Sequence, residues 1–140
     1  DVTNLWPGAY LCTCNGRPMA YGGATEGMYT QMGRERQPDD FSHEQYLVLE
    51  EGGRRVVFSG CSHKGICNIA AWLRPDVLIG GFHLREDAAP ALGEQVGRRL
   101  LALGGIYYTC HCTSEGAYAR LKDIMGEKLR RLRAGDVAEI

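Results

Sequence analysis

Several absences narrow what this chain does. No apolar run approaches the ~20 residues a helix needs to span a bilayer, and no charged-then-apolar leader opens the sequence, so a cytoplasmic protein with no membrane partner is expected. Neither sign of charge dominates: 16 Lys and Arg stand against 17 Asp and Glu, a net charge of −1 that gives no whole-chain drive toward nucleic acid. No glycine-rich phosphate loop of the P-loop or dinucleotide type occurs. The G-x-S-x-G elbow of serine hydrolases is missing too, because GCSHKG at Gly60–Gly65 offers Ser62 with glycines at the wrong spacing. There is no C-x-x-C pair, internal repeat or low-complexity tract.

What is there suits one globular domain. A chain of 140 residues buries about two-thirds of the surface its unfolded form exposes. Six cysteines, Cys12, Cys14, Cys61, Cys67, Cys110 and Cys112, include two C-x-C pairs. Partners so close bridge poorly, so reduced thiols are expected. The chain opens on Asp1 and not on Met, which leads us to expect a processed, trimmed or partial product.

Residues 1–37 read as a loop-rich segment, with Pro7, Pro18 and Gly22-Gly23 and one short strand candidate at Ala9–Thr13. Residues 38–140 read as one α/β unit. QYLVLEE and RRVVFSG, joined by Gly52-Gly53, form a hairpin pattern. Ile66–Leu73 predicts a short helix ended by Pro75, and Asp76–Ile79 a buried strand. Pro90–Leu103 predicts a helix with Leu92, Val96, Leu100 and Leu103 on one face. Ile106–Thr109 reads as a strand, and Ser114 as the cap of a helix carrying Ala117, Leu121 and Ile124. KLRRLR reads as the solvated face of an edge strand, and Val137–Ile140 as a last strand.

The four histidines cluster by topology. His43 precedes the hairpin, and His63, His83 and His111 each follow a strand. Ligands of α/β sheets bind in the crevice at the carboxyl ends of strands, so these three converge on one candidate site. Any one of them alone reads better as a turn residue bonded to a carbonyl; three in one topological place raise the joint case. Imidazole suits zinc, iron or manganese, and Asp39, Asp40, Cys61, Cys110 or Cys112 would complete a set. Cys67, inside the helix stripe, reads as packing. Cys110 and Cys112 alternate with His111 along an extended chain, which would turn both away from any site His111 faces. Cys61 with His63 is a weak nucleophile pair, since residues i and i+2 of a turn rarely bring thiol and imidazole together.

The stretches DDFSHEQYLVLEEGGRRVVFSGCSHKGICNI, VLIGGFHL and CHCTSEGAYARL together resemble the C-terminal half of the metallo-β-lactamase-fold hydrolases, in the dihydropterin-aminobenzene-phosphate synthase-like branch, over residues 38–140. The resemblance implies an α/β fold, the C-terminal half of an αββα metallo-β-lactamase-like sandwich, with a dinuclear zinc, iron or manganese centre at one sheet edge. Where the family places a metal-bridging Gly-Asp, this chain has Gly60-Cys61. That leaves Cys61 and His63 as alternative ligands, with the imidazole preferred. His111 matches the family's late histidine, Asp40 or His43 lies near its third metal motif, and His83 is a ligand, a general acid or a substrate contact. The family's H-x-H-x-D-H run occurs nowhere. The resemblance therefore implies a metal-dependent hydrolase of small-molecule substrates, phosphate esters among them, whose site is completed by an N-terminal half or a second copy. The competing expectation is a non-catalytic metal-binding or structural remnant that needs a partner chain.

Overall fold

The computed structural model describes residues 1–86 and 90–140. In chain order the described elements are β1 (Val2–Trp6), β2 (Ala9–Cys12), β3 (Tyr29–Met32), β4 (Glu35–Pro38), β5 (Tyr46–Glu51), β6 (Arg54–Phe58), α1 (Ile66–Leu73), β7 (Val77–Gly80), α2 (Pro90–Leu103), β8 (Ile106–Thr109), α3 (Glu115–Met125) and β9 (Leu129–Arg131). Seven strands make one sheet in the order β1-β2-β5-β6-β7-β8-β9, and β3-β4 is a separate hairpin. Pairing is antiparallel from β1 through β6 and parallel from β6 through β9. The β5–β6 hairpin turns on Gly52 and Gly53 at φ 58° and 78°, the pair of left-handed residues that a tight two-residue turn demands.

From β6 to β9 each new strand is laid beside the last, always toward the same edge. Right-handed crossovers then place α1, α2 and α3 on one face. The core cluster agrees: Ile69 of α1, Leu100 of α2 and Leu121 of α3 are fully buried against Val48, Val57, Leu78, Tyr107 and Leu129. Those five sheet residues form one cross-strand row. On the opposite face run Leu11, Leu47, Phe58, Ile79 and Tyr108 in one row and Ala9, Leu49, Val56, Val77 and Ile106 in the next. Ala9, Val77 and Tyr108 are buried there, Tyr108 beneath the Arg130 guanidinium, while the other seven are only half-buried. One face of the sheet is finished; the other is an apolar surface with no layer over it among the described residues.

Three expectations are corrected. The boundary at residues 37 and 38 does not divide the sheet, since Leu11 pairs with Leu47 and Ala9 with Leu49 across it. The strand candidate at Ala9–Thr13 is present as Ala9–Cys12, held in the sheet by this long-range pairing. Val137–Ile140 forms no strand; it has no ladder partner among the described residues, and Val137 is 94% exposed. The inner face of α2 is Gly93, Val96, Gly97 and Leu100, with Leu92 and Leu103 outside. A β-carbon at Gly97 would press on Leu121 and Ile124, so the glycine lets α3 pack closely where a leucine stripe was expected. KLRRLR does supply the edge strand, with Leu129 buried.

Candidate metal centre

The site is built where β6, β7 and β8 end. Past Phe58, Ser59 N–H donates to Ile79 O (2.8 Å) and Gly81 N–H to Gly60 O (2.8 Å), so the two strands stay joined beyond their last residues. Each strand end then carries one non-glycine residue in the left-handed region: Ser62 (φ 62°), His83 (φ 48°) and His111 (φ 49°). Such conformations persist only where surrounding bonds hold them, and they concentrate at functional sites.

The bonds are identifiable. Glu44, buried just before β5, accepts the backbone N–H of His63 on Oε1 (2.6 Å), that of Lys64 on Oε2 (3.1 Å) and the Tyr46 hydroxyl on Oε2 (2.6 Å). It thereby clamps the turn that displays His63. The His63 ring stacks on Phe41, centroids 4.2 Å apart, and its Nδ1 lies 3.2 Å from Ala24 O. A carbonyl only accepts, so Nδ1 carries the proton and Nε2 keeps its lone pair, the arrangement typical of metal-binding histidines. Gly23 and Gly65 permit this packing: a β-carbon on Gly65 would strike Gly22 O at 2.6 Å.

His83 follows Gly80-Gly81. Its backbone N–H donates to Cys112 Sγ (3.2 Å), and a β-carbon on Gly81 would run into that same sulfur. Thr113 Oγ1 accepts Phe82 N–H (3.0 Å) and bonds Thr109 Oγ1 (2.6 Å), tying the end of β7 to the loop after β8. The His83 and His63 rings lie 4.4 Å apart. Burial first, then the neighbouring His63 and Arg85, holds the His83 imidazole below its ordinary value. Its Nδ1 is buried and has no hydrogen-bond partner.

Cys61, His63 and His83 each offer a donor atom within 4.8 Å of the other two, the one such group of three among the described residues. One thiol and two imidazoles suit a borderline-soft divalent ion such as zinc, and the orphaned Nδ1 of His83 is a polar atom awaiting a partner. His111 stays outside this group. It is exposed, and with His83, Arg85, Glu86, Cys112 and Ser114 it lines a cavity of about 490 Å³ beside the cluster. Asp40 stays outside too: it is exposed, its Oδ1 accepts Ser42 N–H (2.9 Å), and that bond holds its carboxyl below the usual range. Asp39 does the same for Phe41 N–H (2.8 Å), so both aspartates shape the turn that feeds β5.

Because His111 is left-handed, residues 110–112 are not extended and strand alternation does not govern them. Cys112 Sγ accepts His83 N–H and itself lies 3.7 Å from Cys61 O, and burial pushes its thiol up to about 12, so it supports the cluster as a neutral group. Sequence reasoning overlooked Glu44. The only signal was an acidic residue just before an apolar strand, which ordinarily marks solvent.

No family model matches this chain, and no curated protein does. Among solved structures, the crystal structure of Tm1679, a metal-dependent hydrolase of the β-lactamase superfamily, matches with a TM-score of 0.86 and 27% sequence identity, over 99% of this chain and 56% of that one. The fold is metallo-β-lactamase-like. The chain spans about half the length of the hydrolase it matches. Among the described residues no helix is long and apolar enough to cross a membrane.

Proposed function

We propose that this chain is the C-terminal half of a metallo-β-lactamase-like hydrolase and supplies one part of its metal centre. The observation that carries the reading is the convergence of Cys61, His63 and His83 at the carboxyl ends of β6 and β7. In this reading all three hold the ion: Cys61 and His63 both serve as ligands, and His83 takes a donor's part in place of the general acid's. The uncovered sheet face and the length of Tm1679 support a complementing N-terminal half, which would bring further ligands of the H-x-H-x-D-H kind.

A divalent ion bound there supplies Lewis acidity and water acidified toward neutral pH. The chain's own residues do the rest. Glu44 and Ala24 fix the plane and tautomer of His63, so Nε2 meets an ion without reorganising. His111, exposed on the wall of the cavity beside the cluster, is positioned to give a proton to a leaving group there. Arg85 at the same wall fits an anionic substrate, which favours small phosphate esters.

The test is a cobalt(II) titration of the purified protein, read by its visible and near-ultraviolet spectrum together with elemental analysis. About one ion per chain with a thiolate-to-cobalt band is expected. Cys61→Ser should abolish the band, and His63→Ala or His83→Ala should weaken binding at least about tenfold. Equal metal content in wild type and all three variants refutes the site.

A further inference from the structure

A second pair of sulfurs lies away from the histidine cluster. Cys12 ends β2 and Cys14 follows two residues later; both are buried at 6% exposure, and their Sγ atoms are 4.0 Å apart. Cys14 is in the left-handed region at φ 54°, so the chain turns immediately after the strand. Two cations attend the pair. The buried Lys64 ammonium donates to Thr13 O (2.8 Å) and to Asn15 Oδ1 (2.6 Å), which holds it against the C-x-C backbone. Arg17, anchored on Trp72 O (2.9 Å), adds a second positive charge. The hydrogen bond from Cys12, then Arg17 and Lys64, hold the Cys14 thiol down to about 7, while that same bond and burial hold the Cys12 thiol well up as the proton donor of the pair. Cys14, Asn15, Arg17, Lys64 and Trp72 also line a cavity of about 300 Å³, which reaches the pair from the Cys14 side.

The geometry suits a shared ion. At a metal–sulfur bond of about 2.3 Å, sulfurs 4.0 Å apart subtend about 120° at the metal, and the straight arrangement of a two-coordinate ion needs them about 0.6 Å further apart. No third His, Cys, Asp or Glu joins the pair among the described residues. A two-sulfur set fails zinc's demand for four ligands and suits a soft ion content with thiolates alone. Charge points the same way: two thiolates around a monovalent ion leave a net single negative charge in a buried place, which the Lys64 ammonium offsets.

We propose that Cys12 and Cys14 form a second metal site that takes one soft monovalent cation, of the copper(I) class, as a bis-thiolate. Binding forms two metal–sulfur bonds and releases the remaining thiol protons to solvent, with no change of oxidation state. The site is independent of the hydrolase reading, since it shares no donor with Cys61, His63 and His83.

The experiment titrates the reduced purified protein with copper(I) under anaerobic conditions against a colorimetric copper(I) chelator. Wild type and Cys61→Ser should both retain about one equivalent, and Cys12→Ser or Cys14→Ser should weaken retention at least about tenfold. Since either variant disturbs a buried position, X-ray absorption at the copper edge of the wild type gives a reading free of folding effects, and a first shell of sulfur alone is expected. Nitrogen in that shell, a wild type that retains no copper(I), or unchanged retention in both serine variants overturns the site. Loss of the cobalt spectrum with copper(I) retained would refute the hydrolase reading and leave this one standing.

Discussion

The two faces of the seven-stranded sheet carry the same kind of residue and meet different fates. Toward the helices, Val48, Val57, Leu78, Tyr107 and Leu129 lie at 0–1% exposure. On the other face, Leu47, Phe58, Ile79, Leu49 and Val56 are as apolar but only half-buried. Parallel strands read as continuous apolar runs because both of their faces are normally covered, and VVF and VLI are such runs. Such runs suit a sheet covered on both faces, and among the described residues only the helix-bearing face is covered. The half-buried side chains form a contiguous apolar patch of the kind that marks an interaction surface.

The largest effect that tests this contrast comes from adjacent residues of β7. Leu78 is fully buried beneath the helices, and Leu78→Ala should cost about 3 kcal/mol in urea unfolding. Ile79, one residue on and facing the other way, is half-buried, so Ile79→Ala should cost about 1 kcal/mol or less. Equal losses would mean that the second face is covered in solution. Sedimentation at several concentrations would then show whether a second copy covers it.

A smaller effect is expected at the turn. Glu44→Gln keeps the shape but replaces one carboxylate oxygen that accepts N–H groups from the turn with an amide nitrogen that cannot accept. A loss of about 2 kcal/mol follows from leaving buried donors unmatched. Cobalt affinity should fall about tenfold, because the carboxylate positions His63 without touching the ion. A variant that lost stability but kept full cobalt affinity would show that the clamp serves the fold alone.

How much of this was legible follows from where the order comes from. The β5–β6 hairpin announced itself through Gly52-Gly53, and α3 through Ser114, whose Oγ accepts Ala117 N–H at 3.2 Å. Both signals are local. The strand Ala9–Cys12 is legible as a short candidate at Ala9–Thr13, but its place in the sheet is not, because that depends on Leu47 and Leu49, nearly forty residues away. At the site, strand-end position brought His63 and His83 forward. His111 shares their strand-end position and the left-handed φ of His83, yet it stays outside the cluster, a distinction that no periodicity encodes. Asp40 lay close in sequence but spends its carboxylate on its own turn. Glu44 escaped notice because burying it depends on the GCSHKG turn folding back over the start of β5.

The smallest effect expected is a pH dependence that belongs to the site end of the sheet. Burial first, and then His63, hold the His83 imidazole below its ordinary value, so the metal-free folded chain keeps it neutral at a pH where the unfolded chain has protonated it. The unfolded state then binds more protons, and stability rises with pH in that window. The contribution of His83 should therefore be fully present about one unit above pH 6.5, where neither state protonates it, and should fall as pH drops through that value toward the lowered folded one. His83 is partly open to solvent, so the change is a fraction of that produced by Leu78→Ala. Urea midpoints at pH 7 and pH 5.5 for wild type and His83→Asn would measure it. The asparagine variant should lose the part of the slope that belongs to His83, while Leu78→Ala should keep the slope and lower both midpoints. A slope unchanged in His83→Asn would place the titrating group elsewhere in the chain and remove the electrostatic distinction drawn here between the site end and the finished core.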